Sequence, residues 1–492
     1  MSRVRYVCLS DFHAGSIYSL LTHLDPSGRP LPDNKSPTLK ALSAALQDFL
    51  PQVSDAELPT LILLGDMLDM AISRRSTAMS VFQRCIEGLF PEDGRQLFSK
   101  RIIFLPGNHD HLLWQPMSER IDLAFDVVNG NRAEAKLKPV TPVFEKPDRL
   151  DKSELLTKLC QSLPGMQSAE VRMAYPNWGI RGSTSTVIMH HGHFIEEAYR
   201  LITLIRRRLR PTDKPITVAE LEVENGSWID FGWSTLGAAG GIAHKLGSLH
   251  SILQSERGSE DFLGRLSSLL ARGISAGIPF GAEPKVQRSV AMATKATLNT
   301  TLGQMMELER LSFLDVLSPS GLKGLRWYLD EPLTAQINDE REISGDRVRE
   351  TPLTFIFGHT HKPFEDEIVA DKFPEPVRVF NSGGWVLDEP RLDTVQGASM
   401  VLIDEHCNVA SVRLFGCPIN GVPTPIEVRG TGRFSDIENP LIGKLQDALG
   451  ESPSRWQDFT GIAAAELELR RRVIAEDVIG SEQLAPDGTR LL

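Results

Sequence analysis

Five short clusters in this chain hold side chains that bind metal ions or move protons. They are Asp11-Phe12-His13, Gly65-Asp66-Met67-Leu68-Asp69, Gly107-Asn108-His109-Asp110, His190-His191-Gly192-His193 and Gly358-His359-Thr360-His361. Carboxylates, imidazoles and an amide oxygen are the donors of a mixed oxygen–nitrogen metal site, and a histidine beside a carboxylate is a common proton carrier. Singly, each cluster also has an ordinary structural reading. Asp-x-His at a strand end is often a turn with a capping Asp. Gly-Asn-His-Asp suits a tight turn because Gly and Asn tolerate left-handed backbone, and His-Thr-His can be a packed or surface pair.

What sets them apart is a shared context. Each cluster follows a short apolar run: Val4–Leu9, Leu61–Leu64, Ile102–Leu105, Val187–Met189 and Phe355–Phe357. Unbroken apolar runs of this length, bounded by Gly and Pro, predict central strands covered on both faces. Helix-like stretches at Ser36–Phe49 and Met79–Leu89 separate the first three, and that alternation predicts α/β architecture. Ligands in such sheets gather at the carboxyl ends of strands, where all five clusters would project.

Past His193 the pattern changes. Glu196–Arg210 reads as a helix ended by Pro211, with Arg200, Arg206, Arg207, Arg208 and Arg210 concentrated in it. Phe231–Ser255 is rich in Gly, Ala and Ser, has no acidic residue, and carries His244, Lys245 and His250. Leu263, Leu266, Leu269 and Leu270 follow helical spacing, as do Met305, Met306, Leu308 and Leu311. Residues 196–350 therefore read as a helical insertion between core segments 1–195 and 351–415, with 416–492 as a C-terminal extension. Strands are expected again at Val377–Phe380, Ser399–Ile403 and Val409–Leu414, the last two as a hairpin, and a late helix near Ile462–Val478.

Taken together and in order, the clusters resemble the five motifs of the calcineurin-like metallophosphoesterase superfamily, over roughly residues 1–195 and 351–415. The resemblance implies an α/β fold: a metallophosphoesterase-like β-sandwich flanked by helices in α/β/β/α layers, with the helical insertion acting as a cap. It implies a dinuclear-metal-dependent phosphoester hydrolase. Asp66 would bridge the ions, since a carboxylate can serve two cations and an imidazole only one. Asp11, His13 and His361 would complete one metal site, and Asn108, His191 and His359 the other. Mixed donors suit manganese, with iron or zinc as alternatives, rather than an all-oxygen magnesium or calcium cage. Two such ions sit about 3.5–4 Å apart and lower the pKa of bound water from about 15.7 to near 7, giving a hydroxide that attacks phosphorus in line. His109 would be the general acid, oriented by Asp69, although Asp69 also reads as a charge at a helix N-terminus. In the family the fourth-motif ligand commonly precedes Gly, which favours His191. Strand alternation points His190 to the opposite face as a packed or supporting residue. His193 stays open between a substrate contact and a bonded core histidine.

Other residues are less decisive. Asn381-Ser382-Gly383-Gly384-Trp385 either lines the pocket with backbone donors or makes a turn, and the turn is favoured. Arg74 and Arg75 either bind substrate phosphate or lie on the surface, and His111 is undecided. The superfamily acts on phosphomonoesters, phosphodiesters and pyrophosphates. An arginine-rich helix and an acid-free segment containing Trp233, with Trp228 just before it, would suit an amphiphilic phosphate and peripheral membrane contact. The insertion is similar in that respect to bacterial lipid-linked pyrophosphatases of the superfamily; the plainer reading makes the arginines a solvated face. A nuclease or nucleotide phosphodiesterase is an alternative, as is a non-catalytic scaffold, which would be expected to lose ligands that this chain keeps.

Composition narrows the setting. Of 492 residues 41% are hydrophobic, ample for a packed core, and 53 Lys+Arg against 64 Asp+Glu leave a net charge of −11. That balance argues against a long nucleic-acid partner. No apolar run approaches the ~18 residues of a membrane span, and the N-terminus lacks a signal-peptide core. Cys8, Cys85, Cys160, Cys407 and Cys417 show no paired spacing, so a disulfide framework is not expected and a reducing, cytoplasmic location is.

Overall fold

The apolar runs that end in the five clusters are all strands, and each lies inside a sheet rather than at its edge. The computed structural model describes residues 2–92, 94–118, 139–234, 315–344, 351–388, 395–418, 421–432 and 439–482. In chain order the strands are β1 (Val4–Leu9), β2 (Thr22–Leu24), β3 (Pro30–Lys35), β4 (Thr60–Leu64), β5 (Arg101–Leu105), β6 (Asp151–Lys152), β7 (Glu170–Met173), β8 (Asn177–Arg181) and β9 (Thr186–His190). They continue with β10 (Leu353–Phe357), β11 (Phe364–Ile368), β12 (Val377–Asn381), β13 (Gly397–Asp404), β14 (Val409–Gly416) and β15 (Glu427–Arg429). The helices are α1 (Pro37–Val53), α2 (Arg75–Leu89), α3 (Glu154–Gln161), α4 (Leu201–Leu209), α5 (Val218–Ile229), α6 (Pro319–Tyr328), α7 (Thr334–Ser344), α8 (Pro440–Glu451) and α9 (Pro453–Glu482).

The fold is mixed α/β, with an eight-stranded sheet in the order β15-β14-β13-β1-β4-β5-β7-β6 and a five-stranded sheet in the order β11-β12-β10-β9-β8. Strands β1, β4, β5 and β7 run parallel in the first, and β9, β10 and β12 in the second. The expected hairpin is present as antiparallel β13 and β14. Period-two alternation divides each strand between two cores. Cys8, Ile62, Leu64, Ile103, Leu105 and Val401 meet Trp178, Val187, Met189, Ile356 and Phe380 of the other sheet, so the sheets pack face to face. Val7, Leu61, Leu63, Ile102 and Phe104 join a larger core with Leu42, Phe49, Phe82 and Ile86 of α1 and α2. Each fully buried aliphatic or aromatic side chain contributes about 1.5–3 kcal/mol. All five cysteines are buried free thiols, and no helix among the described residues is long and apolar enough to cross a membrane.

The chain leaves the small sheet at β9 and returns at β10, its parallel neighbour. Between them, Glu197–Arg200 is a 3-10 turn, so the helix expected from Glu196 starts only at Leu201. Arg200 breaks the helix at φ −118°, ψ 19°, and its buried guanidinium lies 3.9 Å from the centre of the Trp327 ring. Arg206 pairs with Glu220 at 3.3 Å and with Glu224, so part of the basic face is bound to α5 rather than presented outward. The helical spacings read around Leu263 and Met305, and most of Phe231–Ser255, lie outside the described residues.

Beyond Gly416 the described residues add one strand and two helices. Strand β15 extends the large sheet, and α9 begins at Pro453, nine residues earlier than expected. Trp456 sets its ring 5.7 Å from Phe49 of α1, edge to face. Arg470 of α9 is fully buried and donates to the carbonyls of Ser19 (2.8 Å from Nη2) and Thr22 (2.6 Å), in the loop that follows His13. Replacing Arg470 by Met removes the guanidinium bonds to both carbonyls and the partner of Glu466 (2.9 Å). The expected cost is about 2–3 kcal/mol, seen as a lower midpoint in urea; an unmoved midpoint would refute the assignment.

Candidate metal centre

Five of the proposed donors sit in a backbone conformation that side chains rarely adopt. Asp11, His13, Asp66, His359 and His361 have φ of 51°, 44°, 52°, 70° and 58°. Left-handed backbone costs a non-glycine residue roughly 1–2 kcal/mol, and such strain concentrates where function demands it. Glycines beside them leave the room the donors occupy. A Cβ on Gly107 would come within 2.3 Å of Asp66 Oδ1, and one on Gly358 within 2.2 Å of Asp11 Oδ2.

The donors from both sheets converge. Asp11, His13 and His361 offer atoms within 4.8 Å of one another, as do His13, Asp66 and His109, and Asp66, His191 and His359. Asn108 Oδ1 lies 3.2 Å from His191 Nε2, while its amide nitrogen donates to Tyr199 at 3.3 Å. All seven proposed ligands therefore belong to one buried constellation. The loops cross-brace it: His359 N–H donates to Asp11 Oδ2 (3.0 Å), His109 N–H to Asp66 Oδ1 (2.7 Å), and Gly358 N–H to the His191 carbonyl (2.8 Å).

The orientation of the imidazoles is informative. His191 Nδ1 faces the Leu64 carbonyl (3.0 Å), His359 Nε2 faces Glu196 (2.8 Å) and His361 Nδ1 faces Asp388 (2.6 Å). A nitrogen facing an acceptor carries a hydrogen, and in the neutral ring the other nitrogen is then a lone pair. His191 Nε2 then points at Asp66 Oδ2 (3.3 Å) and the Asn108 oxygen, and His361 Nε2 at Asp11 Oδ1 (3.5 Å) and His13 Nε2 (3.1 Å). His359 Nδ1 is buried with no hydrogen-bond partner among the described residues. Unless a proton or a metal cation lies between them, acceptors here face acceptors. The donor set fits divalent ions with mixed oxygen and nitrogen coordination.

Protons alone can supply part of that charge. Burial works against protonating His191, but Asp66 and Asp11 push it up to about 9; against the same burial, Asp388 and Asp11 push His361 up to about 10. Burial, His109 and His361 hold His13 down to about 3, so its ring is neutral. Burial opposes charge on Asp66, yet His191 and His109 keep it well below the usual carboxylate range.

Beside the donors, His109 Nδ1 lies 3.1 Å from Asp69 Oδ1, and its Nε2 is buried without a partner among the described residues. Despite burial, the hydrogen bond and charge of His109 hold Asp69 low. His190 packs among Tyr328, His193, Phe194 and Phe355 on the far side of the strand, and burial pushes its pKa well below the usual value. His193 is fully buried with Nε2 3.2 Å from the Tyr175 hydroxyl. Arg74 and Arg75 are exposed. The Asn381 amide donates to the Gly358 carbonyl (2.9 Å), and Trp385 N–H to the Asp11 carbonyl (3.0 Å), so the 381–385 turn props two ligand loops.

Several supporting residues were not singled out from the sequence. Asp110 accepts from the N–H groups of Gly107, Asp66, Met67 and Leu68, knitting two ligand loops together, while burial and Asp66 push it up to about 6. Glu196, Tyr199 and Asp388 belong to no motif; each stands out only once the chain is folded against a ligand. Comparison with protein-family models and with curated proteins gives no match.

Divalent ions must displace the protons of His191 and His361, so affinity should rise with pH until about 9 to 10. At neutral pH, full loading should release about two protons per chain. Calorimetric titration with manganese in buffers of different ionisation heat measures this; a buffer-independent heat would contradict it.

Proposed function

We propose that this protein is a two-metal phosphoester hydrolase of the calcineurin-like kind, and that its layered sheets are the metallophosphoesterase β-sandwich. The observation that carries the reading is the set of three histidines, His191, His359 and His361, each tied back by its outer nitrogen and facing Asp66 or Asp11 or left with a buried lone pair. Asp66, with Asp11, His13 and His361 to one side and Asn108, His191 and His359 to the other, would hold two ions, manganese first among them. When bound, such ions polarise phosphoryl oxygens and make water acidic enough to serve as nucleophile at neutral pH.

The remaining chemistry falls to the protein. Its ligand loops fix the phosphorus by holding the donors in one strained, cross-braced geometry. Asp69 takes the Nδ1 hydrogen of His109 and stabilises the protonated ring, leaving Nε2–H as the free donor for the departing alkoxide. The His13 ring lies 4.6 Å from that of His109, edge to face, and limits how far it can swing. Burial of the donors keeps bulk water away from their ligand atoms.

The test uses manganese-loaded protein with bis(p-nitrophenyl) phosphate and with an alkyl phosphate ester. Asp66→Ala should abolish both reactions together with tight metal binding. His109→Ala should slow alkyl ester cleavage by about 10²–10⁴-fold and affect p-nitrophenyl ester cleavage far less, because p-nitrophenolate leaves without a proton. Tight metal binding with no turnover on monoesters, diesters or pyrophosphates would instead favour a non-catalytic scaffold.

A further inference from the structure

Directly after Asn108, His109 and Asp110 comes His111, a buried histidine that the hydrolytic chemistry does not use. Its Nδ1 is 2.9 Å from Asp230 Oδ1 and its Nε2 is 3.1 Å from Glu222 Oε2. A carboxylate on each nitrogen requires a hydrogen on each, so the ring is a clamped imidazolium. Both carboxylates come from the insertion: Glu222 from α5, and Asp230 from the π-helical turn Asp230–Ser234 that follows it. Gly226 lies midway, four residues from each. A Cβ there would fall 2.6 Å from Glu222 Oε1 and 3.4 Å from His111 Cε1, so the glycine leaves the space that the ring and its partner fill. A mid-helix glycine costs about 1 kcal/mol relative to alanine, and here it completes a seat: Glu222, Gly226 and Asp230 on one helical face.

The seat reaches both ligand loops. On one side it holds the residue three beyond Asn108. On the other, the Tyr175 ring packs 5.3 Å from His111, and its hydroxyl bonds His193, two residues from His191. Helix α5 itself is anchored, because Trp228 donates to the Ala198 carbonyl (2.9 Å) and Asn225 accepts from Ile202 N–H (2.9 Å). Burying an imidazolium and two carboxylates carries a desolvation cost that well-packed apolar residues of similar size would avoid.

We propose that α5 is a positioning element of the insertion, whose Glu222 and Asp230 grip His111 and thereby set the loop bearing Asn108 and His109. This deepens the two-metal hydrolase reading and rests on it for its kinetic consequence. His111 is a positioning residue that acts through its neighbours.

The test compares full-length, manganese-loaded wild type with Glu222→Gln/Asp230→Asn, which keeps shape and removes charge, and with Glu220→Gln. Glu220 lies on the same helix but caps it and pairs with Arg206 and Arg207, away from His111. The double variant should lose about 10–100-fold in kcat with little change in KM, and a similar factor in affinity for one of two manganese ions, the range of a lost support behind a ligand. Glu220→Gln should change stability alone. Should the double variant not fold, Glu222→Gln carries the same comparison with one charge removed. Unchanged kcat and unchanged manganese affinity in a folded variant would overturn the proposal. The manganese titration needs no turnover, so a wild type that binds ions but hydrolyses nothing defeats the hydrolase reading while still deciding this one.

Discussion

Asp11 and Asp66, two carboxylates sealed from water, force positive charge into the centre of this molecule. An ionised carboxylate left unpaired in such surroundings costs several kcal/mol even after relaxation. The neighbours could have been arginines or lysines. They are instead imidazoles and an amide oxygen, which offer lone pairs. Protons on His191 and His361 meet the charge requirement but leave His359 Nδ1 buried without a partner. Divalent cations satisfy the carboxylates and the lone pairs together, which is why the donor chemistry, more than any one distance, favours metal.

The same carboxylates hold the scaffold. Asp11 accepts the His359 N–H and Asp66 the His109 N–H, so each ties down a loop that carries other donors. Those bonds reach between loops that leave different strands, and in the case of Asp11 and His359 between the two sheets. They offset left-handed backbone at five donor positions, roughly 1–2 kcal/mol each. Asp110 extends the principle to a carboxylate outside the proposed ligand set: its four backbone donors fix the turn after β4 to the turn after β5. Geometry at the centre is therefore a property of sheet packing, and the shared apolar layer around Cys8, Ile62, Met189 and Ile356 underlies it.

Legibility in the sequence followed this division. The donors lie in short clusters after apolar runs, and the order of those clusters resembles a known set of motifs, so all seven could be proposed before folding. Alternation of strand-like and helix-like stretches sufficed for α/β architecture. Strands β6, β7, β8 and β15 were missed because they are short or mix charged residues with apolar ones, leaving no clear period. Glu196 and Asp388 were invisible for another reason. A lone carboxylate gains meaning only from what it faces, and Glu196 meets His359 across 163 residues. His111 finds Glu222 and Asp230 across 111 and 119 residues, and its own position beside a motif gave no hint of the pair. The extent of α9 was underestimated because its contact with α1 includes Trp456 against Phe49 and Arg455 against Asp48, at the end where the apolar spacing is sparse.

The place of the insertion has its own logic. His191 follows β9 and His359 follows β10, and these strands are parallel neighbours. A parallel pair cannot be joined by a tight turn; the chain must cross over, starting from the carboxyl end of β9. That end is the donor cluster itself. The first residues of any crossover there are consequently delivered onto the site, as Glu196 is onto His359 and Tyr199 onto Asn108. The crossover can lengthen without disturbing either sheet, since its ends are fixed by strand pairing. It is thus a segment that can grow freely while staying in contact with the donor cluster, and α5 with the turn after it exploits that freedom by bringing two carboxylates back to the loop after β5.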